Sequence, residues 1–255
     1  IVRTIFGFIV AAVPVCIFFF IENQTGRNLF SVFGGVPAIT KVREDRLRCQ
    51  GAFSHPIIAG CFWASLMPMM AALWFGGGKL RAAAVVGLGS ALAIIYFCAS
   101  STPVAGVMFG VIGGAMYVLR KRMLWVQVAV VLGLICLHMV MKAPVWHLIA
   151  RVTLARGSTS YFRFQLIDHT IRRFDEWALL GTKSTAHWFF GAQDLTNHFV
   201  LEAMRGGVWT LALFVAIIAV AFWMVGKLRL ISEGNRAASI FAWVLGVSLF
   251  VHCAN

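Results

Sequence analysis

The chain has 255 residues, 60% hydrophobic and only 12% charged, with a mean hydropathy of +0.86. Soluble domains carry about 25% charged residues, so this composition excludes an ordinary water-soluble globule, a disordered tail and a disulfide scaffold. Lys and Arg number 22 against nine Asp and Glu, a net charge of +13. In a soluble protein that surplus points to nucleic acid; in a membrane protein, basic loops follow from topology.

The first apolar run covers residues 5–21, with Arg3 ahead of it. No small-residue cleavage pattern follows, and Phe18, Phe19 and Phe20 stand where cleavage would fall. The run therefore reads as a membrane span, not a signal peptide. The chain opens at Ile1 without a Met and closes at Asn255 just past another apolar run. The expectation is the C-terminal part of a longer protein, with further spans on either side.

Six more runs approach the ~20 residues a helix needs to cross a bilayer: 56–75, 82–99, 103–119, 124–141, 207–225 and 237–253. The expected fold is all-α, one polytopic transmembrane helix bundle over residues 1–255. It has about seven spans and a partly helical periplasmic loop. Short basic links join several spans: Gly76-Gly77-Gly78-Lys79-Leu80-Arg81, Arg120-Lys121-Arg122, and residues 227–236. If the spans alternate, these links share one side with Arg3. Short loops dense in Lys and Arg mark the cytoplasmic side. That side holds nine basic residues and one acid, Glu233; the other holds thirteen and eight.

The opposite, outer side carries two long segments, 22–55 and 142–206. In the first, Lys41, Arg43, Arg46 and Arg48 crowd together and Gln50-Gly51-Ala52-Phe53-Ser54-His55-Pro56 leads into a span. Arginines just outside a span can hold a phosphate or pyrophosphate through forked hydrogen bonds. The alternative is a solvated loop paired to Glu44 and Asp45.

In the second segment, Arg151, Arg156 and Gly157-Ser158-Thr159-Ser160 precede an expected helix over residues 161–180 that Gly181 ends. Phe164, Ile167, Ile171, Phe174 and Ala178 recur at spacings of three and four, which predicts an apolar face lying in the membrane interface. Arg163, Asp168, His169, Arg172, Arg173 and Glu176 fall largely elsewhere. Asp194, His198, Glu202 and Arg205 then gather at the mouth of the next span. On one helix, Asp194 and His198 would share a face, and a carboxylate beside an imidazole can remove a proton from a sugar hydroxyl. The alternative is that Asp194 caps the helix while His198 faces headgroups.

Arranged in this order, these segments resemble the O-antigen ligase and polymerase superfamily of bacterial inner-membrane glycosyltransferases. Arg48, Gln50, Gly51, Phe53, His55, Pro56 and Gly60 resemble the family's Arg-to-Gly stretch entering a span. Ser100-Ser101-Thr102-Pro103 resembles its Ser-rich turn, and Arg163 with Leu179-Leu180-Gly181 its Arg-to-Leu-Gly segment. Asn197, Phe199, Val200, Glu202 and Gly207 resemble its Asn-x-aromatic-aliphatic stretch with a closing Gly. One departure favours a polymerase-like member over a lipid A-core ligase: Thr196 stands where ligases have a His, and His198 follows the Asn.

The resemblance implies polymerisation or ligation of glycans at the periplasmic face of the inner membrane, in lipopolysaccharide O-antigen or exopolysaccharide assembly. The implied partners are an undecaprenyl-pyrophosphate-linked donor, a glycan or lipid-linked acceptor, membrane lipids and a chain-length regulator protein, with no nucleic acid. Arg43, Arg46, Arg48, Gln50, His55, Arg163 and Arg205 would bind substrate. Asp194 and His198 would activate the acceptor. No cofactor and no metal are expected, since arginines supply the positive charge.

The competing reading is a polysaccharide or lipid-linked glycan flippase. It wants polar residues midway through the spans, and His138 is the main one, with His252 near an end. An intramembrane serine protease rests only on Gly87-Leu88-Gly89-Ser90 with either histidine. Of six cysteines, only Cys49 lies in an outer loop, where it would be open to oxidation, and none has metal-ligand spacing.

Overall fold

Long apolar runs with no polar stripe satisfy their backbone internally as helices, which hydrocarbon demands. The computed structural model describes residues 2–148, 160–195 and 197–255. It is 76% helical, an all-α polytopic bundle. The helices are α1 (Val2–Thr25), α2 (Pro56–Ala72), α3 (Gly78–Phe97), α4 (Ser101–Ala115), α5 (Met123–Val140), α6 (Ser160–Arg172), α7 (Phe174–Trp177), α8 (His198–Ile231) and α9 (Arg236–Ala254). A two-stranded antiparallel hairpin, β1 (Lys41–Arg43) with β2 (Arg46–Arg48), stands between α1 and α2.

Among the described residues, six helical stretches are long and apolar enough to cross a membrane: Val2–Thr25, Pro56–Gly76, Gly78–Phe97, Ser101–Val140, His198–Ile231 and Arg236–Ala254. Two of the seven expected runs lie in one stretch of 40 residues, Ser101–Val140. Its Arg120-Lys121-Arg122 triplet is wound into 3-10 turns (Met116–Arg122) and does not open into a loop. At about 20 residues per crossing, its length suffices for two. Within α5 no residue is buried, and Leu124, Trp125, Met139 and Val140 are all exposed. Apolar surface this extensive needs a lipid solvent.

The chain divides into two compact units, Ile1–Arg120 with Met224–Asn255, and Lys121–Trp223. The first unit is built on α1, α2, α3, α4 and α9. Small residues set the close approaches, as in many membrane bundles. A Cβ on Gly60 of α2 would lie 2.3 Å from Pro103 of α4, and one on Gly87 of α3 would lie 2.7 Å from Ile9 of α1. The pairings Gly60–Pro103 and Gly110–Pro68 make α2 and α4 parallel, while Gly106–Asn255 and Gly113–Val247 make α9 antiparallel to α4. Ile9–Gly87 and the Phe20–Phe97 ring pair make α1 parallel to α3. One end of this unit therefore gathers the C-termini of α1 and α3, the N-termini of α2 and α4, and the hairpin segment. The other end gathers Gly76-Gly77-Gly78, Tyr117, Arg120 and Arg236.

In the second unit, Leu166, Trp177, Trp188, Ala192, Val200, Ala203 and Met204 form a core. The helix expected over residues 161–180 breaks at Arg173 (φ −106°, ψ 37°) into α6 and the single turn α7. Its buried positions are Leu166, Thr170 and Trp177, while Ile171 and Phe174 of the expected apolar face are exposed. A hydrogen bond spans the break: Thr170 O accepts the Trp177 indole N–H at 2.8 Å, which ties the buried Trp177 back to α6. Gly181 (φ +79°) follows, its N–H bonded to Trp177 O at 2.9 Å. Here the chain meets the kink of α8 at Gly206 and Gly207 (φ +71°) backbone to backbone. Thr182 N donates to Met204 O (2.8 Å) and Val208 N to Ala178 O (2.9 Å). A Cβ on Gly207 would lie 2.6 Å from the carbonyl oxygens of Ala178 and Leu179, so only glycine fits.

Candidate functional site

The hairpin begins as a charge problem. Opposed residues of an antiparallel pair share a face, and neighbours along a strand alternate. The register pairs Lys41 with Arg48, Val42 with Leu47, and Arg43 with Arg46. Lys41, Arg43, Arg46 and Arg48 thus share one face, and Val42 and Leu47 share the other. Leu47 lies over Gly26, within 3.8 Å of where its Cβ would be, which directs the cationic face away from that contact. Two like-charged pairs directly across a ladder are destabilising. Glu44 and Asp45 sit in the tip at positive φ (50° and 58°), and among the described residues neither forms an ion pair with Lys41, Arg46 or Arg48. A two-residue turn of this hand favours Asn-Gly, so the tip is itself strained. Arg48 is half-buried, and its buried Nε has no hydrogen-bond partner among the described residues. Burial, and then the charge of Arg43, lower its pKa from the ordinary arginine value.

A buried carboxylate holds this segment. Glu22, in the last turn of α1, is 1% exposed. Its Oε1 accepts from the Thr40 hydroxyl (3.0 Å) and Gln50 N (3.1 Å), and its Oε2 from Gly51 N (2.9 Å). Asn28 Nδ2 donates to Gly51 O at 2.7 Å, and Cys49 N to Phe97 O at 3.0 Å. Gly51 takes φ +55° with its Cα against the Phe19 ring; a Cβ there would be 2.3 Å from Cε2. Burial, and then the charge of Glu22, push the Cys49 thiol up to about 12. Cys49 is fully buried, so the expectation that it is open to oxidation is wrong.

Gln50 and His55, expected to bind substrate, have structural partners. Gln50 is 2% exposed, and its Nε2 donates to Phe53 O at 2.8 Å. His55 is the N-cap of α2, its Nδ1 accepting from Ile57 N at 3.2 Å. The adjacent N-termini of α2 and α4 add positive partial charge to this end of the unit.

The remaining expected residues belong to the second unit. Arg163 is half-buried on α6. Arg205, on α8, is paired to Glu202 at 2.8 Å with its side chain 63% exposed. Asp194 and His198 are both exposed. They do not share a helix face, because α8 starts at His198 and Asp194 lies ahead of it, its N–H bonded to Gly191 O. The residue in the capping position is Asn197, whose Oδ1 accepts from Phe199 N (2.9 Å) and Val200 N (3.3 Å). Arg151, Arg156, residues 157–159 and Thr196 lie outside the described residues.

This unit also holds a polar hub that residue spacing does not reveal. Glu176 accepts from Trp188 Nε1 (2.8 Å) and Arg173 Nη1 (2.7 Å), and its Oε2 lies 2.8 Å from His187 Nε2. The Trp188 and Arg173 hydrogen bonds lead in lowering its pKa to about 2. His138 is exposed; its Nδ1 accepts from Val145 N at 3.3 Å and its ring stacks on Trp146. Among the described residues no group of three His, Cys, Asp or Glu is placed to hold a metal.

No family model, curated protein or solved structure matches this chain.

Proposed function

We propose that the protein is a membrane glycosyltransferase that polymerises or ligates glycans from an undecaprenyl-pyrophosphate-linked donor. The observation that carries this reading is the cationic face of the β1–β2 hairpin, at the end of a bundle of membrane-crossing helices. Arginine forks match phosphate oxygens, and their charge is worth most where water is scarce. A lipid-linked pyrophosphate would place its charge at this height while its tail stayed among the helices. Arg46 and Arg48, with Lys41 and Arg43, would stabilise the negative charge that develops as the pyrophosphate departs from the anomeric carbon. Gln50 and His55 act as positioning residues for that face.

Acceptor activation falls to Asp194 or His198, each tested by its own substitution, since no shared face joins them. The resemblance of the motifs to the O-antigen ligase and polymerase superfamily supports the same reading. It also implies the bacterial inner membrane, with the hairpin on the periplasmic side. In cells that depend on this protein for a surface glycan, Arg46→Ala with Arg48→Ala should abolish polymer while leaving the protein in the membrane. Polymer of normal length and yield from that double variant would refute the assignment.

A further inference from the structure

At the end of the first unit away from the hairpin, α2, α4 and α9 leave a groove of about 500 Å³ between them. That volume falls in the ordinary range of small-molecule sites. Its walls are apolar, with Ala64 from α2, Gly110 and Gly114 from α4, and Trp243 from α9. Arg236 is the one charged residue among those lining it, and Tyr117 lines it too.

The mouth of the groove is both aromatic and cationic. Tyr117 and Trp243 meet edge to face at 6.0 Å, and the Tyr117 hydroxyl bonds Ser239 Oγ at 3.4 Å. The Arg120 guanidinium lies 4.2 Å from the centre of the Tyr117 ring, and Arg229 donates to the Arg120 carbonyl. Arg236 is exposed and forms no ion pair among the described residues; the acid nearest in sequence is Glu233. Tyr and Trp collect where hydrocarbon meets water, and basic pockets between membrane helices recognise anionic headgroups.

An apolar slot with an aromatic rim and one lining arginine, Arg236, unpaired among the described residues, matches an amphiphile with a negative head. We infer that this groove binds one anionic glycerophospholipid, an acyl chain along Gly110 and Gly114 and the headgroup phosphate on Arg236. A phosphocholine head is a weaker ligand, because its own cation is brought against Arg236. The site is independent of the glycan-transfer reading, since it uses none of the hairpin residues.

The test is native mass spectrometry on the purified full chain, titrated with phosphatidylglycerol and with phosphatidylcholine of the same acyl chains. One phosphatidylglycerol should be retained about fivefold more tightly than phosphatidylcholine, the preference one surface arginine confers. Arg236→Gln should remove that preference and leave phosphatidylcholine binding unchanged. Gly114→Leu should weaken both lipids, because a Cβ there meets nothing within 4 Å and its side chain enters the open groove. Unchanged thermal unfolding of each variant excludes misfolding as the cause. Equal affinity for the two lipids, or phosphatidylglycerol binding unaffected by both substitutions, would overturn the inference. So would displacement of phosphatidylglycerol by an equimolar polyprenyl phosphate, which would make that lipid the occupant.

Discussion

Glu22→Ala tests whether one carboxylate holds the hairpin segment against the bundle. The substitution strands three donors, the Thr40 hydroxyl and the N–H groups of Gln50 and Gly51, at a site where Glu22 is 1% exposed. Each buried donor left without its acceptor costs about 1–3 kcal/mol, so the loss is at least about 3 kcal/mol. At roughly 2–4 °C per kcal/mol for a chain of this size, unfolding should move down by about 6–12 °C. The assay is tryptophan-fluorescence melting of the full chain in detergent. Glu22→Gln should fall between the two, because its amide keeps one acceptor and turns an NH₂ toward a donor. Glu202→Ala is the control: it breaks one pair, to the exposed guanidinium of Arg205, which contributes about 0–1 kcal/mol. A shift for Glu22→Ala no larger than that control would refute the reasoning.

Three further outcomes follow from the same geometry. Cys49 should resist maleimide at neutral pH until the protein is denatured, because its thiol is fully buried and forms thiolate only near pH 12; labelling of the native chain at Cys49, mapped by mass spectrometry, would contradict this. Glu176 has its pKa lowered to about 2, so its contribution is complete above the ordinary glutamate pKa and is lost as pH falls toward 2. Melting temperature measured from pH 5 to pH 2 should decline less steeply in Glu176→Gln than in the parent, and parallel profiles would sink the idea. Gly207→Ala should destabilise the second unit by roughly 2 kcal/mol or more, from a positive φ and a Cβ against two carbonyl oxygens. Hydrogen exchange at Thr182 and Val208 reads that loss, and unchanged protection there would count against the account.

What was legible in the sequence was what depends on composition over a whole turn or more. Apolar runs of helical length gave the spans, because hydrocarbon leaves the backbone no alternative to internal hydrogen bonds. Pro56, at the start of α2, and the basic links marked helix ends within a few residues. The cationic cluster was also visible, but its single face required the strand register, which a one-residue slip would reverse. Three features were hidden because they depend on contacts distant in sequence. Glu22 closes an apolar run and reads as its polar boundary, yet it bonds residues 18 to 29 positions away. The break at Arg173 goes with an indole N–H of Trp177 that reaches back to Thr170 O, a contact that an otherwise continuous helical period does not announce. Asp194 and His198 stand four apart, as on one helix, but Asn197 caps α8 between them, so only His198 is on the helix.

The claim that the hairpin's cationic face serves a lipid pyrophosphate in glycan transfer is tested most directly with purified components. The full chain, reconstituted in vesicles, is given an undecaprenyl-pyrophosphate-linked glycan with no nucleotide and no ion gradient, and the products are sized. The account predicts longer or transferred glycan and released undecaprenyl pyrophosphate, both lost in Arg46→Ala with Arg48→Ala. Movement of intact donor across the bilayer without transfer, or transfer undiminished in that variant, would contradict it.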